Sequence, residues 1–362
     1  MGRTRLRGSL PAVATAVLLV AGCGSSGDNS AGAGSTGPVT SPSASSASGS
    51  SAAGSSTGAA SSGAASTGRP SSQPPSATGS ADPRYVVKRI HTGSKPCATL
   101  GAAGSIWVAD LNDFTVKRLD PRTGRLLATI TTAAGPCGMA YGAGSIWVED
   151  YTASAVTRID VATNRTSTIP VGSSPYDVTF AAGAAWVTNN GDSTVTRIDA
   201  RTNKTRTIEV GATPVGIAAA GGAIWVCAAG SQQLTRIDTA TMRVSTIAFG
   251  GSPSWTAFDR DTVWIGDQGA GQIARLDARS GRIVRRVNVG PTPNDGDVLD
   301  GGVWFPDKNG ALYRLDQRTD AVTGPFPVGA GNPFVVSGYD HRLWIADFAG
   351  TDTIVVDPAL LP

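Results

Sequence analysis

Histidine is almost missing from this chain: His91 and His341 are the two among 362 residues, beside four cysteines and three methionines. So few leave no Ser-His-Asp arrangement with a usable histidine. The cysteines show no zinc spacing and no paired redox motif, and no glycine-rich phosphate loop is present. Long apolar runs are also missing. The stretch from Leu10 to Ala21 is too short to span a bilayer permanently. Helical periodicity is absent from the folded part, which excludes helical repeats. Charge of one sign is scarce as well. Residues 1–22 carry Arg3, Arg5 and Arg7 and no acid, so without them the net charge of +3 falls to about zero. Composition therefore gives no support for nucleic acid or an anionic lipid surface as partner.

Three arginines ahead of a short apolar run read as a secretory signal peptide over 1–22. The run ends in Val20-Ala21-Gly22-Cys23, which resembles the lipobox of bacterial lipoproteins. That resemblance implies lipidation (palmitate and related acyl chains) of Cys23 as the first mature residue. It also implies an exported protein anchored to the outer side of the bacterial cytoplasmic membrane. Stable attachment needs more than one acyl chain. Residues 23–84 form a tether: from 24 to 82 there is no aromatic residue, no Leu or Ile, and the charges are Asp28, Arg69 and Asp82 alone. Such a segment buries too little apolar surface to offset its ordering entropy, so it is expected to be disordered, spanning about 40–45 Å end to end as a flexible coil.

What the chain does have is a repeat. Trp107, Trp147, Trp186, Trp225, Trp264, Trp304 and Trp344 follow one another at 39 or 40 residues. A proline stands eleven residues before each, from Pro96 to Pro333, and marks the start of a first strand, because proline cannot donate to a ladder. The tryptophan sits in a second strand such as Ile106-Trp107-Val108. A third strand ends in Arg-Leu-Asp or Arg-Ile-Asp, at Asp120, Asp160, Asp199, Asp238, Asp277 and Asp316. A turn and a fourth strand follow. Four short strands per ~40 residues make the blade of a β-propeller. The predicted fold is all-β: a seven-bladed propeller over 85–362. The last unit stops after its third strand, and Tyr85–His91 has fourth-strand register, so that N-terminal strand is predicted to pair with the C-terminal blade and seal the ring. The tryptophans are expected in the core.

The units are similar to the secreted propellers of the YVTN and virginiamycin B lyase-like groups. The likeness rests on starts such as Gly172-Ser173-Ser174-Pro175, on Ile106-Trp107-Val108-Ala109-Asp110, and on Thr194-Val195-Thr196-Arg197-Ile198-Asp199. In the lyase a streptogramin ring is opened by elimination with a divalent metal and a histidine base near the central channel. Here His91 ends the closing strand, and His341 sits in a turn expected on the face opposite the usual ligand face.

Three sets of residues should share the ligand face. Asp110, Asp150, Asp267, Asp307 and Asp347 follow their tryptophans by three. They either cap turns or supply oxygen ligands to Ca²⁺ or Mg²⁺. Tyr176, Asn294 and Phe334 follow their prolines directly, and Asp177, Trp255 and Asp295 come one later. These six are the ligand-binding candidates, set on a mildly acidic, aromatic-edged rim for a small polar ligand, glycan or peptide. Cys97 and Cys137 occupy one position in adjacent blades; a disulfide and two free thiols both remain open. The expected function is a lipid-anchored binding or scaffold module at the cell envelope. The alternative is a metal-dependent lyase, or a lactonase-type propeller enzyme.

Overall fold

Each repeat folds as a four-stranded antiparallel sheet, and seven such sheets make up the computed structural model, which describes residues 82–290 and 292–362. The signal peptide, Cys23 and the tether up to residue 81 lie outside the described residues. Blades one to six run in sequence over residues 96–131, 136–170, 175–209, 214–248, 253–288 and 297–327. Blade seven takes its inner three strands from Pro333–Tyr339, Arg342–Asp347 and Asp352–Val356. Its outer strand is Val86–His91, from the start of the folded region. Arg89 stands opposite Ile354 and Ile90 opposite Thr353, so the sealing strand predicted from its register is present. The inner strands touch their neighbours all the way round, and the last, Pro333–Tyr339, packs on the first, Pro96–Ala102. At that seam Thr99 Oγ1 bonds the Ser337 hydroxyl at 2.8 Å and donates to the Trp344 carbonyl at 2.9 Å.

The tryptophans fill the space between sheets. Six of the seven are at most 1% exposed, and Trp304 is 4% exposed. Six of them have the motif arginine directly across the ladder, as Trp107 has Arg118 and Trp147 has Arg158, while Trp344 faces Val355. The guanidinium lies 4.8 Å from the Trp107 centroid and 4.7 Å from that of Trp147. Arg118 then reaches the next blade, donating to the Val161 carbonyl at 2.8 Å and Asn164 Oδ1 at 3.0 Å. Arg158 repeats this on Ala200 and Asn203 at 2.7 and 2.8 Å. The recurring Arg-Ile-Asp thus has two jobs. The arginine stacks on its own tryptophan and ties blade to blade. The aspartate caps the turn: Asp120 Oδ1 accepts from the Thr123 N–H at 2.7 Å and its hydroxyl at 2.8 Å.

In such a meander the first-to-second and third-to-fourth connections share one end, here called the turn face. The remaining loops form the loop face. Blade six breaks the pattern on its inner edge. Its first strand shrinks to Asp297–Leu299, and Asp295 instead bridges in parallel to Val335 of blade seven.

Candidate functional site

All six ligand-binding candidates are interior. Asp177, Trp255 and Asp295 show no exposed surface, and Asn294, Phe334 and Tyr176 are 1%, 2% and 3% exposed. The open rim expected of them is therefore made by other residues, and these six form its floor. Trp255 donates its indole N–H to the Pro293 carbonyl at 3.0 Å, and Asn294 donates to the Pro333 carbonyl at 3.1 Å. Both tie blade six to its neighbours. Phe334 packs on Phe348 with ring centroids 4.9 Å apart. Gly296 lets Trp255 close in, since a Cβ there would stand 2.5 Å from the Trp304 carbonyl oxygen and 3.2 Å from the Trp255 ring.

Asp177 and Asp295 belong to a group of buried acids with Glu149 and Asp297. Glu149 Oε1 accepts from the Gly138 N–H at 2.8 Å, while Oε2 has no partner. Gly138 makes room here: a Cβ would meet Glu149 Cγ at 3.2 Å and Asp177 Oδ1 at 3.4 Å. Asp177 accepts from Val178 N in its own strand and from Ile217 N of the next blade, both at 2.7 Å. Neither oxygen of Asp295 completes a hydrogen bond, and the adjoining Gly296 N–H offsets only part of its burial. Asp297 accepts from Val298 N at 2.7 Å and Gly338 N at 2.9 Å.

Burial is the main force on these carboxyls and drives them toward the neutral form. It holds Glu149, Asp177 and Asp295 well above the usual range, with Asp295 and Glu149 adding to the effect on Asp177, and Asp297 adding to that on Asp295. Asp297 is raised to about 7 by burial, against its two N–H donors. The Tyr176 phenol and the Cys227 thiol are pushed up by burial too, and then by the same acids, Asp177 and Asp295. Six side chains from blades two, three, four and six thus feel one another. Such a group offers protonated donors and acceptors, or negative charge to a cationic group that enters.

The five candidate metal ligands do something else. Asp150 accepts from the Thr157 hydroxyl at 2.7 Å, Asp267 from Ser252 N at 3.0 Å, and Asp307 from Asn309 N and Ala311 N at 3.0 Å. Asp347 accepts from Asn332 N at 3.0 Å, and Asp110 has Lys117 Nζ at 3.9 Å. Asp150, Asp267, Asp307 and Asp347 each work inside their own blade, while neither oxygen of Asp110 completes a hydrogen bond. Among the described residues no three His, Cys, Asp or Glu are grouped to hold a metal ion. The five aspartates are therefore not gathered at one point for the Ca²⁺ or Mg²⁺ weighed for them from their positions.

Around the acids, the residues four past each tryptophan form the collar of the loop face. Tyr151, Asn190, Gln268 and Phe348 are half-buried there. Tyr151 meets Tyr176 edge-on at 6.4 Å, and Lys95 Nζ lies 5.0 Å from the Phe348 centroid. Sequence reading missed both this collar and Glu149. A signal was available for Glu149: two residues past the tryptophans the other blades carry Ala, Thr, Cys, Gly, Pro and Ala. The histidines are remote from this group in their bonding. His91 Nδ1 faces Asp352 at 3.6 Å, and His341 Nδ1 bonds Asp300 at 2.9 Å on the turn face. Cys97 and Cys137 are joined in a disulfide.

Residues 76–196 match a family described as a repeat of unknown function (DUF6923). No curated protein matches this sequence. Among solved structures, a catalytically inactive virginiamycin B lyase from Staphylococcus aureus with quinupristin superposes with a TM-score of 0.65 at 16% identity. It covers 74% of this chain and 99% of that one. The hydrazine synthase of Kuenenia stuttgartiensis gives 0.60 at 13% identity, over 71% and 93%. A computationally designed protein gives 0.56 at 11%, over 74% and 97%. At such identities the likeness is one of fold.

Proposed function

We propose that this chain is an exported, lipid-anchored binding module whose loop face takes a small polar ligand, glycan or peptide over the centre of the ring. The observation that carries the reading is the stack of a half-exposed aromatic and amide collar on uncompensated buried acids. Tyr151 and Phe348 supply faces for an apolar or sugar ring. Asn190 and Gln268 anchor one amide N–H each on the Pro214 and Pro293 carbonyls, at 3.2 and 3.3 Å, and offer the remaining amide hydrogen and oxygen. Asp295 and Glu149 keep unpartnered oxygens below. A fold has no use for unpaired buried carboxyls, whereas a ligand with a cationic or hydroxyl group does. The disulfide supports an oxidising compartment, and with it the reading of Cys23 as a lipid attachment point.

The lyase and lactonase readings need a bound metal, and the lyase needs a histidine base beside it. The bonding of His91 and His341 and the separate duties of the five aspartates favour binding over either. The test is a screen of glycans, amines and short peptides by thermal shift. A hit is expected to weaken at least tenfold on Phe348→Ala and on Asp295→Asn. Hits that ignore both changes would refute the site.

A further inference from the structure

The near-zero net charge of the mature chain hides a local surplus of cations on one face. On the turn face of blades one to four the third-to-fourth turns carry Arg122, Arg125, Arg165, Arg201, Lys204 and Arg243, all exposed. Among the described residues none of these six forms a salt bridge. Each of these turns also carries one aspartate, and the Oδ1 atoms of Asp120, Asp160, Asp199 and Asp238 accept from their own turn backbones, which leaves six cations against four acids.

The other half of the face is built differently. In blades five to seven, where Arg282 and Arg318 are also exposed and form no salt bridge among the described residues, further acids on that face take up other cations. Arg279 bonds Asp261 at 2.7 Å, Arg285 bonds Asp320 at 3.1 Å, and His341 bonds Asp300 at 2.9 Å. The first-to-second turns also differ. In blades one to four they are Ala103-Gly104, Ala143-Gly144, Ala182-Gly183 and Gly221-Gly222, uncharged and small. A Cβ added at Gly104, Gly144, Gly183 or Gly222 would meet nothing within 4 Å, so the surface there is open. A crescent of unpaired cations around low turns makes a broad, shallow, positive surface.

We propose that the turn face of blades one to four docks on a surface of anionic lipid headgroups. The choice of a lipid surface over a soluble polymer rests on the proposed lipid anchor, which would hold the domain within reach of such headgroups. A broad face suits a planar partner, and scattered single cations suit many separate phosphates rather than one deep ligand. With the turn face on the membrane, the collar on the loop face points away from it and stays open to ligand.

The experiment uses the mature chain from residue 23 with Cys23→Ser, so that no acyl chain contributes. Co-sedimentation with vesicles of phosphatidylcholine, with and without phosphatidylglycerol, is measured at low and high salt. Binding is expected only with phosphatidylglycerol and is expected to vanish at high salt. Each cation removed should weaken binding roughly fivefold, so Arg165→Gln, Arg201→Gln and Arg243→Gln together should weaken it by about a hundredfold with an unchanged melting temperature. Arg279→Gln with Arg285→Gln should change binding less than twofold. Equal binding to neutral vesicles, no binding to anionic ones, or a triple variant that binds like the parent overturns the proposal. Binding to dextran sulfate without binding to vesicles also overturns it and assigns the face to an anionic polymer. Whether Cys23 is acylated is read separately, by palmitate labelling in the cell, so the two readings fail independently.

Discussion

Cys97 and Cys137 stand at the same place in adjacent blades, forty residues apart, with Cα atoms 5.2 Å apart and their sulfurs bonded. The bond joins the inner strands Pro96–Ala102 and Pro136–Gly142 and locks blade one to blade two. Reduction, or the double change Cys97→Ser and Cys137→Ser, is expected to cost about 2–4 kcal/mol of stability. Alkylation of the denatured chain without reductant, read by mass, should leave both cysteines unmodified and modify Cys227. A chain in which Cys97 and Cys137 alkylate freely has no such bond.

Trp186 is fully buried, and its ring carries Arg197 at 5.6 Å. Trp186→Ala should cost about 3–5 kcal/mol in chemical denaturation. Phe114 is 47% exposed, and Phe114→Ala should stay within about 0.5 kcal/mol. Similar losses for the two would remove the tryptophans from the core.

Arg118 tests the tie between blades. Its Nε donates to Ser105 Oγ at 2.9 Å while Nη1 crosses to blade two. Arg118→Ala should lose about 1–2 kcal/mol. Arg118→Lys should recover under half of that, because an ammonium cannot serve three acceptors in a plane. Full rescue by lysine would reduce the contact to simple charge.

Much of this architecture is legible in the sequence because a repeat states each constraint seven times. Proline at each first strand, tryptophan in each second and Arg-Leu-Asp or Arg-Ile-Asp in six of the thirds fix strand order, and the displaced N-terminal strand fixes closure. The site is less legible because it consists of departures from the repeat. Asp295 lies where blade six abandons its inner strand, and Glu149 is a single acid in a column of small residues. The expected rim was misjudged by one layer: the residues just past the prolines turn into the ring, and those four past the tryptophans reach the surface. The positive crescent was invisible to net charge, since acids elsewhere in the chain cancel it in the formal sum.

The central claim is that the buried carboxyls are held for a ligand at the expense of stability. Asp110, Asp150 and Asp297 titrate near 7 in the folded chain, and Glu149, Asp177 and Asp295 are also raised, against values of 3.8 for Asp and 4.5 for Glu without burial. Between those limits the folded chain holds protons that the unfolded chain has lost, so stability falls as pH rises through that window. The turn aspartates, Asp120 among them, are lowered by their own N–H and hydroxyl donors and act oppositely, so stability is lost as pH drops below about 4. Stability should therefore peak near pH 4–5. The most direct measurement is the melting temperature of the mature chain and of Asp295→Asn at pH 5 and pH 8. The parent should melt lower at pH 8 than at pH 5, and the variant should melt above the parent at pH 8 with little difference at pH 5. A variant that melts below the parent at both values would show that Asp295 serves the fold, and would contradict the claim.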